Sequence, residues 1–329
     1  MPSPRFVPYA RAAALACLLV PAVASAQEPD PEAVVDAFEA VFGKHPGMRA
    51  SGAKGVCVTG TFTPSAEAVG LSKAPQFAKA APVVGRFSMG GGNPKVSDKV
   101  KGVTRGFALR VAGDEPMVLV MISAPVFGSK TPQQLMAGLA ARVPGPDGKV
   151  DAAKVKAFTD ANPETTRQAA WLNARPVPAS FAGVDYWAVH AYTLTNAKGE
   201  TKVAKLKVVA SAGQQGLTDD EVKAKPDSFY ADELKGRLGT GPAGFDLVAI
   251  MGEQGDPTTD ITATWPEDSR PKVKLGTVAI AALEPDATCD ASTFDPVLEL
   301  PEGVAGPSDD PMFAIRSPAY AVALSRRAQ

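Results

Sequence analysis

Hydrophobic and polar residues alternate along eight short segments of this chain. Such alternation is typical of β-strands with one buried face, and glycine, proline and asparagine at the segment ends favour turns. The eight segments are residues 55–62, 83–89, 104–111, 117–122, 186–194, 201–209, 245–251 and 275–282. The spacing of the first four predicts an antiparallel sheet or a barrel, and the next two predict a hairpin.

Apolar residues recur at helical spacing in residues 31–42, 131–142 and 152–161. The tail, residues 311–327, predicts a shorter helix with Pro318 near its start, where the missing N–H of proline is tolerated. No repeat or shift in composition marks a second domain. We therefore expect a single α+β domain.

The first 26 residues have the organisation of a secretory signal peptide. Arg5 and Arg11 supply positive charge, residues 12–22 are almost wholly apolar, and the Ala-Ser-Ala sequence at 24–26 provides small residues for cleavage. The apolar stretch is too short to span a bilayer, so no membrane anchor is expected.

These features predict cleavage before Gln27, a mature domain of residues 27–329 and a periplasmic or secreted location. A buried N-terminal helix is one alternative, and a lipoprotein attached at Cys17 is another. The formal net charge of −1 gives no reason to expect nucleic acid as a partner.

Two cysteines, Cys57 and Cys289, remain after removal of the signal peptide. In an oxidising compartment they can form a disulfide bond. Cys57 lies in the apolar run Val56-Cys57-Val58, which favours a buried free thiol instead. No Cys-x-x-Cys pair is present, and no zinc site is predicted.

Six groups of short motifs occur in the same order as in catalases. They are Arg49-Ala50-Ser51-Gly52-Ala53-Lys54-Gly55 with Gly60-Thr61-Phe62; Gly85-Arg86-Phe87-Ser88; Arg105-Gly106-Phe107-Ala108 with Ala124-Pro125-Val126-Phe127; His190-Ala191-Tyr192-Thr193-Leu194-Thr195-Asn196-Ala197-Lys198-Gly199; Trp265-Pro266-Glu267 with Gly276; and Phe294-Asp295-Pro296, Pro307-Ser308-Asp309-Asp310-Pro311 and Arg316-Ser317-Pro318-Ala319-Tyr320. Together they cover about residues 45–327. The chain therefore resembles the catalase superfamily, in particular its short form, the catalase-related peroxidases.

This resemblance implies a closed antiparallel β-barrel with flanking helices and haem b held against the barrel. It also implies a haem-dependent peroxidase, with a peroxide as substrate and a small-molecule reductant as partner. Arg316 and Tyr320 are four residues apart and share one face of a helix. By resemblance Tyr320 is the iron ligand and Arg316 is its partner, because a guanidinium favours the phenolate that binds ferric iron.

The resemblance assigns the haem propionates to three arginines, Arg49, Arg86 and Arg327. Arginine suits carboxylates because its guanidinium donates two parallel hydrogen bonds. Phe87 is expected to be an apolar residue near the pocket rather than a residue of the general core.

On the catalytic side the chain departs from the catalase pattern. Gly52 stands where catalases carry the histidine that moves a proton between the peroxide oxygens. Ser88 matches the serine that supports this histidine. Ile122 and Ser123 stand where the family carries an asparagine. These differences predict weak catalase activity with residual peroxidase activity, including activity on organic peroxides.

The chain contains two histidines, His45 and His190. His45 lies in a loop from which it can reach the pocket if the loop moves, and otherwise it is an exposed residue. His190 is expected to pack or to form hydrogen bonds. One alternative function is a non-catalytic or diverged exported haem-binding protein, which Gly52 favours. A secreted barrel that binds an apolar ligand without haem is another, which the Arg316 and Tyr320 pair disfavours.

Overall fold

The computed structural model describes residue 1, residues 30–291 and residues 293–328. The predicted cleavage site and all but the first residue of the predicted signal peptide lie outside these ranges. In the described part of the chain, no helix is long and apolar enough to cross a membrane.

Eight antiparallel strands form a closed β-barrel in which each strand pairs with its neighbour in chain order and the last pairs with the first. They are β1 Gly55–Pro64, β2 Ala81–Met89, β3 Arg105–Val111, β4 Met117–Ile122, β5 Tyr186–Thr195, β6 Thr201–Ala210, β7 Ala243–Met251 and β8 Lys272–Glu284. A short strand, β9 Val304–Ala305, pairs with the C-terminal end of β5. The predicted barrel is therefore confirmed.

The barrel closes between β4 and β5 through one residue pair, Ile122 and Trp187. Every other neighbouring pair of strands in the ring shares a ladder of six or more residue pairs. The long connection from β4 to β5 carries three helices. Ring closure therefore depends on a contact between distant parts of the sequence.

Ten α-helices flank the barrel in the described residues. They are α1 Pro31–Phe42, α2 Ala68–Leu71, α3 Pro132–Ala140, α4 Ala152–Ala161, α5 Thr166–Asn173, α6 Asp219–Ala224, α7 Tyr230–Leu238, α8 Asp286–Asp290, α9 Pro311–Ala314 and α10 Arg316–Arg327. Helix α1 begins where predicted because Asp30 caps it, accepting a hydrogen bond from the Glu32 amide, and Pro31 occupies the first turn. Helix α1 packs against α3 and α10.

Aromatic side chains fill the barrel interior. Phe87 stacks on Phe107 at 4.3 Å between ring centroids and on Phe181 at 5.4 Å. Phe87 is fully buried in this core and does not line the cavity described below. Phe87 is near the pocket through its stack on Phe107, which lines it, but the expectation that it is not a residue of the general core is wrong. Alternation along β2 turns Phe87 inward and turns its neighbours Arg86 and Ser88 outward.

Cys57 on β1 and Cys289 on α8 form a disulfide bond, and their Cα atoms are 5.8 Å apart. The expectation of a free thiol at Cys57 is wrong. Cys57 is buried beneath α8, where it packs with Val118 and Phe294. An apolar setting therefore suits the bonded cysteine as well as a free thiol, and sequence alternation does not distinguish them.

Candidate functional site

A cavity of about 420 Å³ lies against the outside of the barrel wall, a size usual for small-molecule sites. Residues of β2 to β5 form its barrel side, and residues of α1, α3, α9 and α10 cover it. Most lining side chains are apolar. The polar ones include each of the predicted site residues: Arg49, Gly52 through its backbone, Arg86, Ser88, Arg316, Tyr320 and Arg327.

Arg316 and Tyr320 meet on one face of α10, as their spacing predicts. Arg316 donates two hydrogen bonds to the Tyr320 hydroxyl oxygen, from Nε at 3.1 Å and from Nη2 at 2.8 Å. Both donors converge on the same phenol oxygen and hold it in place. The arrangement therefore presents a fixed phenol oxygen at the cavity wall.

His190 extends this pair into a chain of four groups. Arg316 Nη1 lies 3.0 Å from His190 Nε2, and His190 Nδ1 lies 2.7 Å from Asp310 Oδ2. Because a guanidinium only donates, Nε2 must accept, and Nδ1 therefore carries the proton and donates it to Asp310. Burial lowers the pKa of His190 to about 4, so the imidazole is neutral at neutral pH.

Local backbone geometry places His190 and Asp310 in this hydrogen-bonded network. The β5–β6 register shifts between Ala188 and Ala191, and a bulge of this kind re-aims side chains so that both Val189 and His190 reach the cavity. Asp310 is the cap of α9 and its Oδ1 accepts hydrogen bonds from the Met312 and Phe313 amides. The cap leaves Oδ2 to hold the histidine.

Arg49, Arg86 and Arg327 form an arginine cluster at the cavity. Arg49 Nη2 donates to the Cys289 carbonyl at 2.7 Å, and Arg327 Nη2 donates to the Asp290 carbonyl at 2.9 Å. Arg86 donates to the carbonyls of Gly52 at 2.6 Å and Ala53 at 3.0 Å. The three guanidiniums therefore gather around two short backbone segments.

The charge of this cluster is only partly balanced. Asp290 forms an ion pair with Arg49 at 3.1 Å. Burial, followed by repulsion from Arg86 and Arg327, lowers the pKa of Arg49 to about 10. Asp286 attracts Arg86 as well, so two nearby carboxylates offset part of the charge of the three guanidiniums. Such a site suits a ligand with two carboxylates.

The remaining predicted residues form a glycine cluster of Gly52, Ser88 and Ile122. Gly52 has a φ of +68°, and a Cβ added there would lie 3.2 Å from Ser88 Oγ. Ile122 lines the cavity. Ser123 points elsewhere, and its Oγ accepts a hydrogen bond from the Arg105 amide at 2.9 Å. The position next to Ile122 therefore supplies no hydroxyl to the cavity.

His45 does not line the cavity. Its Nε2 donates a hydrogen bond to the Phe42 carbonyl at 3.0 Å, at the end of α1. In this conformation the imidazole does not reach Gly52 or Ser88 as a substitute base.

Two carboxylates of the site, Asp310 and Asp290, were not predicted from the sequence. The Asp310-Pro311 pair is a strong helix-start signal, and it correctly marks an aspartate that caps α9. It does not reveal the histidine partner, which comes from β5. The sequence around Asp290 contains no pattern that predicts its role, because that role depends on arginines distant in sequence.

Comparisons with known proteins point to one family. The family model described as catalase matches residues 45–328. The catalase-related peroxidase of Synechococcus elongatus is 35% identical over 303 residues, which cover 90% of this chain and 88% of that protein. The catalase-related peroxidase of Mycolicibacterium paratuberculosis is 32% identical over 304 residues, covering 90% and 94% respectively.

Solved catalase structures share the fold. A fungal catalase superposes with a TM-score of 0.77 at 20% identity, over 86% of this chain and 60% of that one. Catalase A from Saccharomyces cerevisiae gives a TM-score of 0.77 at 19% identity, over 86% and 62%. The chain thus spans about three fifths of these solved chains.

Proposed function

This chain belongs to the catalase family, and on that premise we propose that it is an exported haem-dependent peroxidase that reduces hydrogen peroxide or organic peroxides. Catalase-family proteins generally bind haem. The observation that carries the proposal is the hydrogen-bonded chain of Tyr320, Arg316, His190 and Asp310 at the wall of an apolar cavity.

The residues present fit haem b. A haem needs apolar walls for its faces, cations for its two propionates and an axial ligand for its iron. The cavity has apolar walls, the arginine cluster has excess positive charge, and Tyr320 supplies a phenol oxygen. Tyr320 and Arg327 lie on the same helix, about 10 Å apart along its axis, so the ligand and a propionate partner are separated in space.

When bound, ferric haem would supply a Lewis-acidic and redox-active iron for the reduction of peroxide. In this proposal Tyr320 would hold the iron through its phenol oxygen, and the two hydrogen bonds from Arg316 would orient that oxygen. His190 accepts a third hydrogen bond from Arg316 and holds the guanidinium in place. Asp310 fixes the tautomer in which His190 can do so.

The glycine cluster contains no effective base that could move the proton of the substrate. Gly52 carries no side chain, and Ser88 supplies a hydroxyl, which is a poor base at neutral pH. Hydrogen peroxide requires that a proton move between its oxygens, so we expect weak catalase activity. Organic peroxides gain binding energy from apolar walls, so we expect them to serve better.

A non-catalytic haem-binding protein is the second candidate, because Gly52 and Ile122 both replace polar groups of the family pattern. Absorption spectroscopy of the haem-loaded protein tests haem binding for both, and addition of peroxide with a reductant separates them. Peroxidase function predicts a tyrosinate-type ferric spectrum and oxidation of a phenolic reductant after addition of cumene hydroperoxide. A bound haem that supports no oxidation with any peroxide favours the second candidate, and failure to bind haem eliminates both.

Export is part of the proposal, supported by the signal-like N-terminus and by the Cys57–Cys289 disulfide, since disulfides persist in oxidising compartments. N-terminal sequencing of the protein recovered from periplasm or medium tests it. The expected first residue is Gln27. A mature protein that begins at Met1 would show that the segment is not removed.

A further inference from the structure

The disulfide lies next to the arginine cluster. Cys57 is directly opposite Arg86 in the β1–β2 ladder. Its partner Cys289 is followed by Asp290, and these two residues bind Arg49 and Arg327. One covalent bond thus connects the strand beside Arg86 to the segment that holds the other two arginines.

We propose that the Cys57–Cys289 disulfide is a positioning device that holds the arginine cluster in the geometry needed to bind the two carboxylates of the cofactor. The inference rests on the proposed haem function. It gives the disulfide a role in ligand affinity in addition to its role in stability.

The first argument is that α8 cannot hold its position alone. It has five residues, Asp286 to Asp290, whereas isolated helices shorter than about 12 residues are marginal in water. Cys289 is the residue of α8 that is buried. Besides the disulfide, its Sγ lies 3.2 Å from the Gly85 carbonyl oxygen, on the strand that also carries Arg86. Attachment through Cys289 therefore fixes α8 against β1 and β2.

The second argument is electrostatic. Arg49, Arg86 and Arg327 repel one another, and the acidic groups that counter this repulsion come from α8. Asp290 pairs with Arg49 and attracts all three arginines, and Asp286 attracts Arg86. If α8 moved away, the three cations would separate. Binding two carboxylates would then require that they be gathered again, at a cost in affinity.

The third argument concerns sequence distance. Arg49 precedes β1, Arg86 lies on β2, and Arg327 ends α10. No local element holds the three together. The Cys289-Asp290 dipeptide contacts two of them through its carbonyl groups and one carboxylate, and the disulfide fixes that dipeptide beside the third.

The test compares two probes, haem and haem dimethyl ester, in which the propionates carry no charge. The Cys57→Ala/Cys289→Ala variant should bind haem at least tenfold more weakly than wild type, measured by absorbance titration. Its affinity for the ester should change by less than threefold. Val208→Ala, a buried truncation on β6 away from the cavity, is the control for general loss of stability.

Equal losses for both probes would overturn the inference, because they would indicate general disruption of the cavity. Unchanged haem affinity would also overturn it. A wild-type protein that binds neither probe would eliminate the proposed function and this inference with it. That outcome differs from failure of the inference alone, because it is seen in wild type before any substitution.

A second variant keeps the disulfide and serves if the double variant does not fold. Asp290→Ala removes a negative charge that competes with the propionates, so simple electrostatics predicts tighter haem binding. Positioning predicts the opposite, a several-fold loss for haem with little change for the ester. Tighter or unchanged haem binding by Asp290→Ala would overturn the inference.

Discussion

The tyrosine cluster (Tyr320, Arg316, His190 and Asp310) and the glycine cluster (Gly52, Ser88 and Ile122) both contribute to one cavity, but they differ in polarity. In the tyrosine cluster each polar side chain binds the next, from carboxylate to imidazole to guanidinium to phenol. The glycine cluster has one polar side chain, the Ser88 hydroxyl; Gly52 has no side chain and that of Ile122 is aliphatic.

This difference separates two tasks. Holding a cofactor requires groups that are fixed and paired before the ligand arrives, and the tyrosine cluster meets this need. Moving a substrate proton requires a base within hydrogen-bonding reach of the peroxide, with a pKa near the working pH. The glycine cluster lacks such a base. The comparison therefore predicts strong cofactor binding with slow chemistry.

The largest expected effect comes from breaking the tyrosine cluster with Tyr320→Phe. Removal of the phenol oxygen should change the ferric haem spectrum and reduce peroxidase turnover by more than about 100-fold, because even outer partners of metal ligands typically contribute 10–100-fold. Absorption spectra and steady-state oxidation of a phenolic reductant measure both effects.

Tyr192→Phe is the matched control. The Tyr192 hydroxyl is buried, forms no hydrogen bond with any described residue and does not line the cavity, so its removal should leave the spectrum unchanged. If Tyr320→Phe gave the wild-type spectrum and haem occupancy, another residue would be the ligand and the role of the tyrosine cluster would be structural.

The next effect comes from adding a base to the glycine cluster with Gly52→His. A positioned general acid–base group contributes about 10²–10⁴-fold, so oxygen release from hydrogen peroxide should rise, and Ile122 keeps the gain near the lower limit. Ser88 Oγ is close enough to contact the new side chain. A positive φ should cost about 1–2 kcal/mol of folding stability.

Gly52→Ala separates these contributions, because it carries the same backbone strain without an imidazole. Oxygen release by Gly52→Ala should equal that of wild type at equal haem loading. Wild-type turnover as high as that of Gly52→His would mean that some other group already supplies the base.

A third effect tests the neutral histidine of the tyrosine cluster. The folded-state pKa of His190 is lowered from 6.5 to about 4. Above pH 6.5 both folded and unfolded states hold it neutral, and between pH 6.5 and 4 the unfolded state alone binds the proton. Folding stability should therefore fall by about 3 kcal/mol as the pH drops through this window.

His190→Gln has no group that titrates there and should lose less stability over the same range. Urea unfolding of the haem-free chain at several pH values provides the comparison. Parallel curves for the two proteins would show that His190 does not remain neutral in the folded state.

Sequence periodicity predicted the strands well because the barrel interior buries one face of every strand, although residues 186–192 of β5 are buried on both faces. Strand β4 was predicted at its observed bounds, residues 117–122. Helices α2, α5, α6, α7 and α8 were missed. The capping box at the start of α6, in which Thr218 and Glu221 exchange hydrogen bonds, was a readable signal that was overlooked.

The site was less predictable, because its geometry depends on contacts between distant strands and helices. Tyr320 and Arg316 lie within one helix, so their spacing was sufficient to predict that they share a face, whereas their role was inferred from the resemblance to catalases. The partnership of His190 with Arg316 and Asp310 requires a bulge in β5. The disulfide joins residues 232 positions apart, a separation over which local patterns carry no information.

The smallest expected effect refines the glycine cluster itself. Ile122 lines the cavity, so Ile122→Asn places an amide where the family pattern carries one. One added hydrogen bond to the substrate is worth about 1 kcal/mol, so in the Gly52→His background the turnover of hydrogen peroxide should rise by less than about tenfold. In wild type the same substitution should have almost no effect, because an amide without a base cannot move the proton. Ile122→Leu conserves volume without polarity and should match its parent in both backgrounds. Steady-state oxygen release at equal haem loading compares the four proteins and their parents. Equal gains in the two backgrounds would show that the amide acts independently of the base. The slow turnover of hydrogen peroxide would then result from missing polarity in the glycine cluster rather than from a missing proton-transfer group.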